Sequence, residues 1–281
     1  MTAAWLFTVG MLTVFPVRVV EVDRRLAGRA MALAPLVGLV LGLAAAMVLV
    51  GIRWAGGSAL LAAVLAVGTL AWLTRGLHLD GLADLADGLG SGKPADQALA
   101  IMKRSDIGPF GVVTLVLTLL VQVAALTALA ESSPFEPSQT RTALAGAALV
   151  SACVTGRLAI TWACRGHVPA ARPGGLGALV AQTVRPGRAL VSTLVSAGTI
   201  VFLTCIAVIS SSGFPRYTAL PAHAVAVLFG PLLAMAVGLG AAELLRRRAV
   251  RRLGGVTGDV LGALCECATA VTLLCCALLL G

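Results

Sequence analysis

Charge is what this 281-residue chain lacks: 12% of its residues are Asp, Glu, Lys or Arg, against 59% hydrophobic. Soluble domains carry about 25% charged residues to cover their surface, so a water-soluble globule is excluded. The alternating ten-residue strands of an outer-membrane barrel are missing, as are repeats at solenoid periods. Paired metal-ligand cysteine spacing is also missing. The seven cysteines (Cys153, Cys164, Cys205, Cys265, Cys267, Cys275, Cys276) are odd in number and sit mostly in apolar runs. Cys265-Glu266-Cys267 is one C-x-C with no second pair, so all seven read as small apolar core residues. No cleavable signal peptide is expected, because Ala3 to Phe15 is short, lacks a basic start and runs into Pro16.

What is present is a series of apolar runs of membrane-spanning length. They predict an all-α, polytopic integral membrane bundle forming one domain over residues 1–281. The expected spans are about 31–51, 59–77, 109–130, 142–164, 189–210, 221–245 and 258 to the end. An N-terminal interfacial or partly inserted helix precedes these seven. Loops are expected at ESSPFEPSQ, at 165–188, at SSGFPRY and at RRRAVRRLGG.

Basic residues set the orientation. The N-terminal segment, 75–108, 157–188 and 246–252 together hold eighteen of the 21 Lys and Arg; only Arg53, Arg141 and Arg216 fall on the other side. The first face is therefore expected in the cytosol, with the N-terminus inside and the C-terminus outside. The net charge of +9 then reflects topology and anionic membrane lipid rather than nucleic acid.

Acids are scarce enough to be informative. Three of the twelve, Asp80, Asp84 and Asp87, lie in HLDGLADLADG between two apolar segments. At about 100° per residue, offsets of four and seven gather them on one helix face. Their mutual repulsion would be relieved by a divalent cation such as Mg²⁺, which favours carboxylate oxygens and keeps positions for substrate phosphates. A solvated polar face on a connecting helix is the plain alternative.

Three further stretches face the same side. In IMKRSDIGPFG, Lys103 and Arg104 are candidates for phosphate oxygens and Ser105 for a helix cap; basic flanks plus a cap explain them equally. Arg157, in TGR of the fourth span, either meets an anion or snorkels. In LGGVTGDVLGALCE, Asp259 and Glu266 lie seven apart on one helix side, entered through Gly254, Gly255 and Gly258. Asp259 suits a helix N-terminus, which leaves Glu266 without a structural reason. His78 borders the acids as a proton-transfer or anion-binding candidate, a local hydrogen bond being the alternative; His167 and His223 receive no role.

GLHLDGLADLADG, IMKRSDIGPFG and GGVTGDVLGALCE, in that order, resemble the cobalamin synthases, the adenosylcobinamide-GDP ribazoletransferases. APLVGLVLG at 34–42 and Gly175-Leu176-Gly177 match as well. The match departs where members often show MKDSRIG, since this chain exchanges Arg104 and Asp106. Arg75 also stands where glycine is often found.

The resemblance implies a Mg²⁺-dependent transferase of the bacterial cytoplasmic (inner) membrane with its active site in the cytosol. A hydroxyl of α-ribazole or α-ribazole 5′-phosphate would attack the cobinamide-side phosphorus of adenosylcobinamide-GDP, releasing GMP. Asp80, Asp84 and Asp87 would bind one or two Mg²⁺ ions, and one of them or Asp259 would take the hydroxyl proton. Lys103 and Arg157 would hold phosphates. His78, Arg104, Ser105, Gly255, Thr257, Gly258 and Glu266 would line the substrate. Small-residue faces such as Gly38/Gly42 permit a homo-oligomer. The clusters loosely resemble CDP-alcohol phosphotransferases too, but Asp84 stands where that pattern has arginine. The competing class is an ion- or proton-coupled transporter; acids gathered at one membrane edge, with no repeated halves, speak against it.

Overall fold

A computed structural model describes residues 2–17, 22–131, 138–210 and 221–280, leaving aside the side chains of 210 and 221–226. Arg18, Arg216, the His223 side chain, the SSGFPRY turn and most of the ESSPFEPSQ loop lie outside the described residues. The elements are α1 (Thr2–Leu12), α2 (Arg24–Trp54), α3 (Ala59–Leu73), α4 (Leu77–Gly90), α5 (Ala95–Ile101), α6 (Pro109–Ala130), α7 (Ser138–Ala163), α8 (Gly175–Val180), α9 (Pro186–Ser210), α10 (Pro221–Leu253) and α11 (Gly258–Leu280). Among the described residues the only β features are two isolated bridges, Arg165 to Val184 and Ala170 to Val256.

Six helices, α2, α6, α7, α9, α10 and α11, are long and apolar enough to cross a membrane. The seventh expected span is a broken one. Helix α3 ends at Leu73 and α4 departs at 87°. The starts of α2 and α6 both lie at the end of the bundle where α4, α8 and the 164–185 loop meet, so the α3–α4 pair returns the chain across it. Two left-handed residues make the break, Arg75 (φ 53°) and Gly76 (φ 67°). Helix α10 also differs from expectation: RRRAVRRL continues it to Leu253. Its Glu243 holds Arg246 at 2.6 Å and Arg247 at 2.8 Å one turn on, and Arg165 from beyond α7 at 3.2 Å.

Helix α7 is the axis of the bundle. It is buried along nearly its whole length, whereas the valines and leucines of α6 and α9 face outward. Its Ala, Gly, Ser and Thr residues let neighbours approach closely, which is how helices associate where lipid removes the hydrophobic drive. Some hydroxyls are satisfied locally, from Ser151 to the Ala147 carbonyl and Thr155 to that of Ser151, both at 2.8 Å, while Thr161 reaches the Met31 carbonyl of α2 at 2.7 Å. Gly38 abuts the Cys153 carbonyl, and a side chain at Gly42 would start 2.8 Å from Val150 Cα. The Gly38/Gly42 face is thus consumed within the chain and is not free for self-association.

Helix α1 packs on α2, Thr8 Oγ1 donating to the Ala30 carbonyl at 3.0 Å. At the far end, Arg141 ties three C-terminal carbonyls, from Nη2 to Ala128 (2.7 Å), Nε to Glu131 (3.1 Å) and Nη1 to Leu280 (3.1 Å). That role accounts for one of the few basic residues at this end.

A side chain held at φ 53° costs about 1–2 kcal/mol, of which glycine's extra chain entropy takes back about 0.5–1. Arg75→Gly is therefore expected to raise the unfolding temperature in detergent by a degree or more without changing the fold. A lower temperature would show that the Arg75 side chain makes a contact outweighing its backbone strain.

Candidate functional site

The site is built where α4 crosses α11. Both helices are pared to backbone at the crossing: a side chain at Gly81 would start 2.7 Å from the Asp259 carbonyl oxygen, and one at Gly262 3.1 Å from His78 Cα. This contact sets Asp80 and Asp84 beside Asp259. Asp80 is exposed, while Asp84 and Asp259 are half-buried. The negative charges of Asp80, Asp259 and Asp87 all bear on Asp84. Asp80 also bears on Asp259, opposed there by Arg172.

Asp87 does something different. Its buried carboxylate accepts from the Gly108 N–H through Oδ2 (2.7 Å) and from the Gly111 N–H through Oδ1 (2.9 Å). It therefore caps the N-terminus of α6 from across the interface, where free N–H groups and the helix dipole favour an anion. Gly108 is the N-cap residue of α6, followed by Pro109, and makes no side-chain cap bond. The expected Ser105 cap is thus replaced by Asp87. Side chains at Gly108 or Gly111 would run into that carboxylate.

Lys103, Arg104, Ser105 and Asp106 are all exposed on the turn before α6. Among the described residues the exchanged pair, Arg104 and Asp106, forms no ion pair. Met102 anchors the turn, its Cγ 2.6 Å from where a side chain at Gly88 would start.

The loop after α7 closes the other side of the acids. Val184 N–H donates to the Cys164 carbonyl at 3.0 Å, and Val256 pairs with Pro169 and Ala171 (2.9 and 3.1 Å). Gly255 fits against Ala170 and Ala171, and Gly177 against Val256. Thr257 Oγ1 accepts from Val260 N–H at 3.2 Å, starting α11, and lies 3.2 Å from Asp259 Oδ2. Gly258 has no such partner and packs beside Leu176. Beside this junction lies a pocket of about 410 Å³ lined by Arg24, Arg172 and Gln182. Arg24 donates to the Ala178 and Ala181 carbonyls, the latter at 2.6 Å, and Arg172 to that of Leu99. Gln182 is held at φ 62°, a left-handed geometry that costs a non-glycine residue about 1–2 kcal/mol.

Arg157 and Glu266 do not join the acids. Both lie deeper, with His78, in a polar layer between α4, α6, α7 and α11. Arg157 and His78 are each 2% exposed. Glu266 Oε2 accepts from Gln122 Nε2 at 2.9 Å, and the charges of Arg157 and Glu266 act on one another. Arg157 therefore lies in the field of Glu266 rather than of the aspartates, and does not snorkel.

Sequence reading missed Arg172, Gln122 and the separate task of Asp87. Arg172 sits in a Gly- and Pro-rich loop without periodicity, and Gln122 is one polar residue in an apolar helix. Among the described residues, the aspartates do not supply three donor atoms lying within 4.8 Å of one another.

Residues 4–277 match the family model described as cobalamin-5-phosphate synthase. The chain is similar to a protein of Frankia casuarinae called adenosylcobinamide-GDP ribazoletransferase, 45% identical over 94% of this chain and 90% of that one. Proteins of the same name from a Nocardioides species (42%, covering 98% of both chains) and Sinorhizobium medicae (35%, 84% of this chain and 80% of that one) are similar as well. No solved structure matches.

The carboxylates are separable by stability. Asp87→Ala strands two backbone donors of α6 and is expected to cost roughly 2–3 kcal/mol, visible as a fall in unfolding temperature. Asp84→Ala removes repulsion and is expected to leave that temperature unchanged or raise it. Equal falls in both variants would contradict this division.

Proposed function

The chain belongs to the cobalamin-5-phosphate synthase family, and from that premise we propose how its residues carry out adenosylcobinamide-GDP ribazole transfer. The activity is that of an adenosylcobinamide-GDP ribazoletransferase in a multi-pass membrane protein. The transporter reading has no support from these relatives. A hydroxyl of α-ribazole, or of its 5′-phosphate, attacks the cobinamide-side phosphorus; the diphosphate bond breaks and GMP leaves.

The observation that carries the mechanism is the gathering of Asp80, Asp84 and Asp259 at one end of the bundle, with Arg172 acting on Asp259. Phosphoryl-type transfer needs alignment and charge neutralisation more than covalent help. The donor set fits Mg²⁺, which usually takes only one or two carboxylates and completes its shell with water and substrate phosphates. Asp84 and Asp259, meeting across the crossing, would hold it with Asp80 beside them, since both oxygens of Asp87 already receive backbone N–H groups. The bound ion would neutralise charge on the diphosphate and the leaving GMP.

The remaining work belongs to side chains. Asp84 or Asp259 accepts the proton of the attacking hydroxyl. Exposed Lys103 and Arg104, and Arg172 with Arg24 across the 410 Å³ pocket, receive phosphate oxygens. Gly255 packs against Ala170 and Ala171 of that pocket's wall, and Thr257 lies beside Asp259. His78, Arg157 and Glu266, being buried below, support α4 and α11 rather than touch phosphate.

Orientation follows from the basic residues. Those of the α2 start, the α5–α6 turn, the α7–α9 loop and the α10 end share the end that carries the acids; Arg53 and Arg141 mark the other. By the positive-inside rule this end faces the cytosol of the inner membrane, where nucleotide substrates are available.

With adenosylcobinamide-GDP, α-ribazole and Mg²⁺, purified protein in detergent or liposomes is expected to release GMP and form cobalamin. Chelation should stop the reaction, and Asp84→Asn should slow it by about 10²-fold or more. GMP release that survives both changes would sink the metal assignment while leaving the family intact. Arg172→Ala is expected to raise KM or lower kcat/KM by about tenfold, as for one lost charged phosphate contact.

A further inference from the structure

The buried polar layer below the aspartates holds a donor set that ribazole transfer does not use. His78 on α4 and Cys265 and Glu266 on α11 each offer one ligand atom, and these atoms lie within 4.8 Å of one another. His78 is 2% exposed, and among the described residues neither Nδ1 nor Nε2 has a hydrogen-bond partner. Leaving a polar group buried and unpaired is costly, and here it happens to an imidazole facing a thiol and a carboxylate. We propose that His78, Cys265 and Glu266 form a second, distinct metal site that binds one borderline divalent transition ion, Zn²⁺ or an ion of like preference.

Ligand chemistry selects the class. A thiolate and an imidazole are poor donors for Mg²⁺ and good ones for Zn²⁺, Co²⁺ or Fe²⁺. A dication with a thiolate, a carboxylate and a neutral imidazole is a neutral unit, beside which the buried Arg157 keeps its own positive charge. Binding releases the Cys265 proton, so affinity rises with pH.

The surroundings supply the outer contacts that such a site needs. Gln122 Nε2 holds Glu266 Oε2 at 2.9 Å, leaving Oε1 for the ion. The Arg157 guanidinium, whose Nε has no partner, acts on both Cys265 and Glu266 and can donate to the thiolate. Three protein ligands leave a fourth position open to water. The ion would pin α4 to α11 directly beneath the helix crossing that sets the aspartates, a positioning role independent of the Mg²⁺ assignment above.

The test is metal content, which needs no activity. Full-length protein purified in detergent without chelator is expected to carry about one equivalent of Zn²⁺ or Fe²⁺ by mass spectrometry. After exchange with Co²⁺ alone it should show a thiolate-to-cobalt charge-transfer band. Cys265→Ser should lose that band and weaken retention at least tenfold, and His78→Ala should do the same. Cys267→Ser, two positions from Cys265, should change neither. Protein that folds and turns over with under a tenth of an equivalent, and binds Co²⁺ without the band, would overturn the proposal. So would metal retained equally by the Cys265 and His78 variants.

Discussion

The site depends on one close approach, the crossing of α4 and α11 at Gly81 and Gly262. Between helices in lipid, attraction comes from packing and polar contacts rather than from expelled water, so the distance between backbones decides what can meet. Here Gly81 lies against the Asp259 carbonyl and Gly262 against His78. A methyl at either position would push apart the two helices that carry Asp80, Asp84 and Asp259. Above the crossing the acids collect; below it lies the layer of His78, Arg157, Cys265, Glu266 and Gln122.

The same crossing explains why neighbouring aspartates have different tasks. Asp87, one turn beyond Asp84, points at the free N–H groups of α6 and is neutralised there. Asp84 faces Asp80 and Asp259 and has no such partner. One carboxylate is spent on holding α6 against α4, and the others keep a concentration of negative charge that a cation and a diphosphate can share. The Cys164–Arg185 loop, tied by Val184 and Val256, brings Arg172 to the rim and balances that charge from the opposite side.

Much of this was legible in the residues. Apolar runs marked the spans, because lipid demands about twenty apolar residues per helix. The basic residues marked one end, and HLDGLADLADG stood out because acids are so rare. What periodicity does not carry is tertiary. The 87° break comes from two left-handed residues, one of them Arg75, which the family resemblance marked as standing where glycine is common but which periodicity does not turn into a bend. The continuation of α10 through RRRAVRRL depends on Glu243 pairing with its own arginines and Arg165. The capping role of Asp87 depends on where α6 begins in space, and the closeness of Cys265 to His78 on a helix crossing. Arg157 read as a phosphate ligand because only its depth inside α7, not its identity, separates it from the rim.

The most direct test of the account is a double-mutant cycle on kcat/KM with Asp84→Asn and Asp259→Asn at saturating Mg²⁺. If both carboxylates serve one ion across the crossing, the second substitution should cost far less once the first is made, with a coupling of about 1 kcal/mol or more. Additive losses, each as large alone as in the pair, would mean that the two acids act separately and that the crossing does not assemble a shared site.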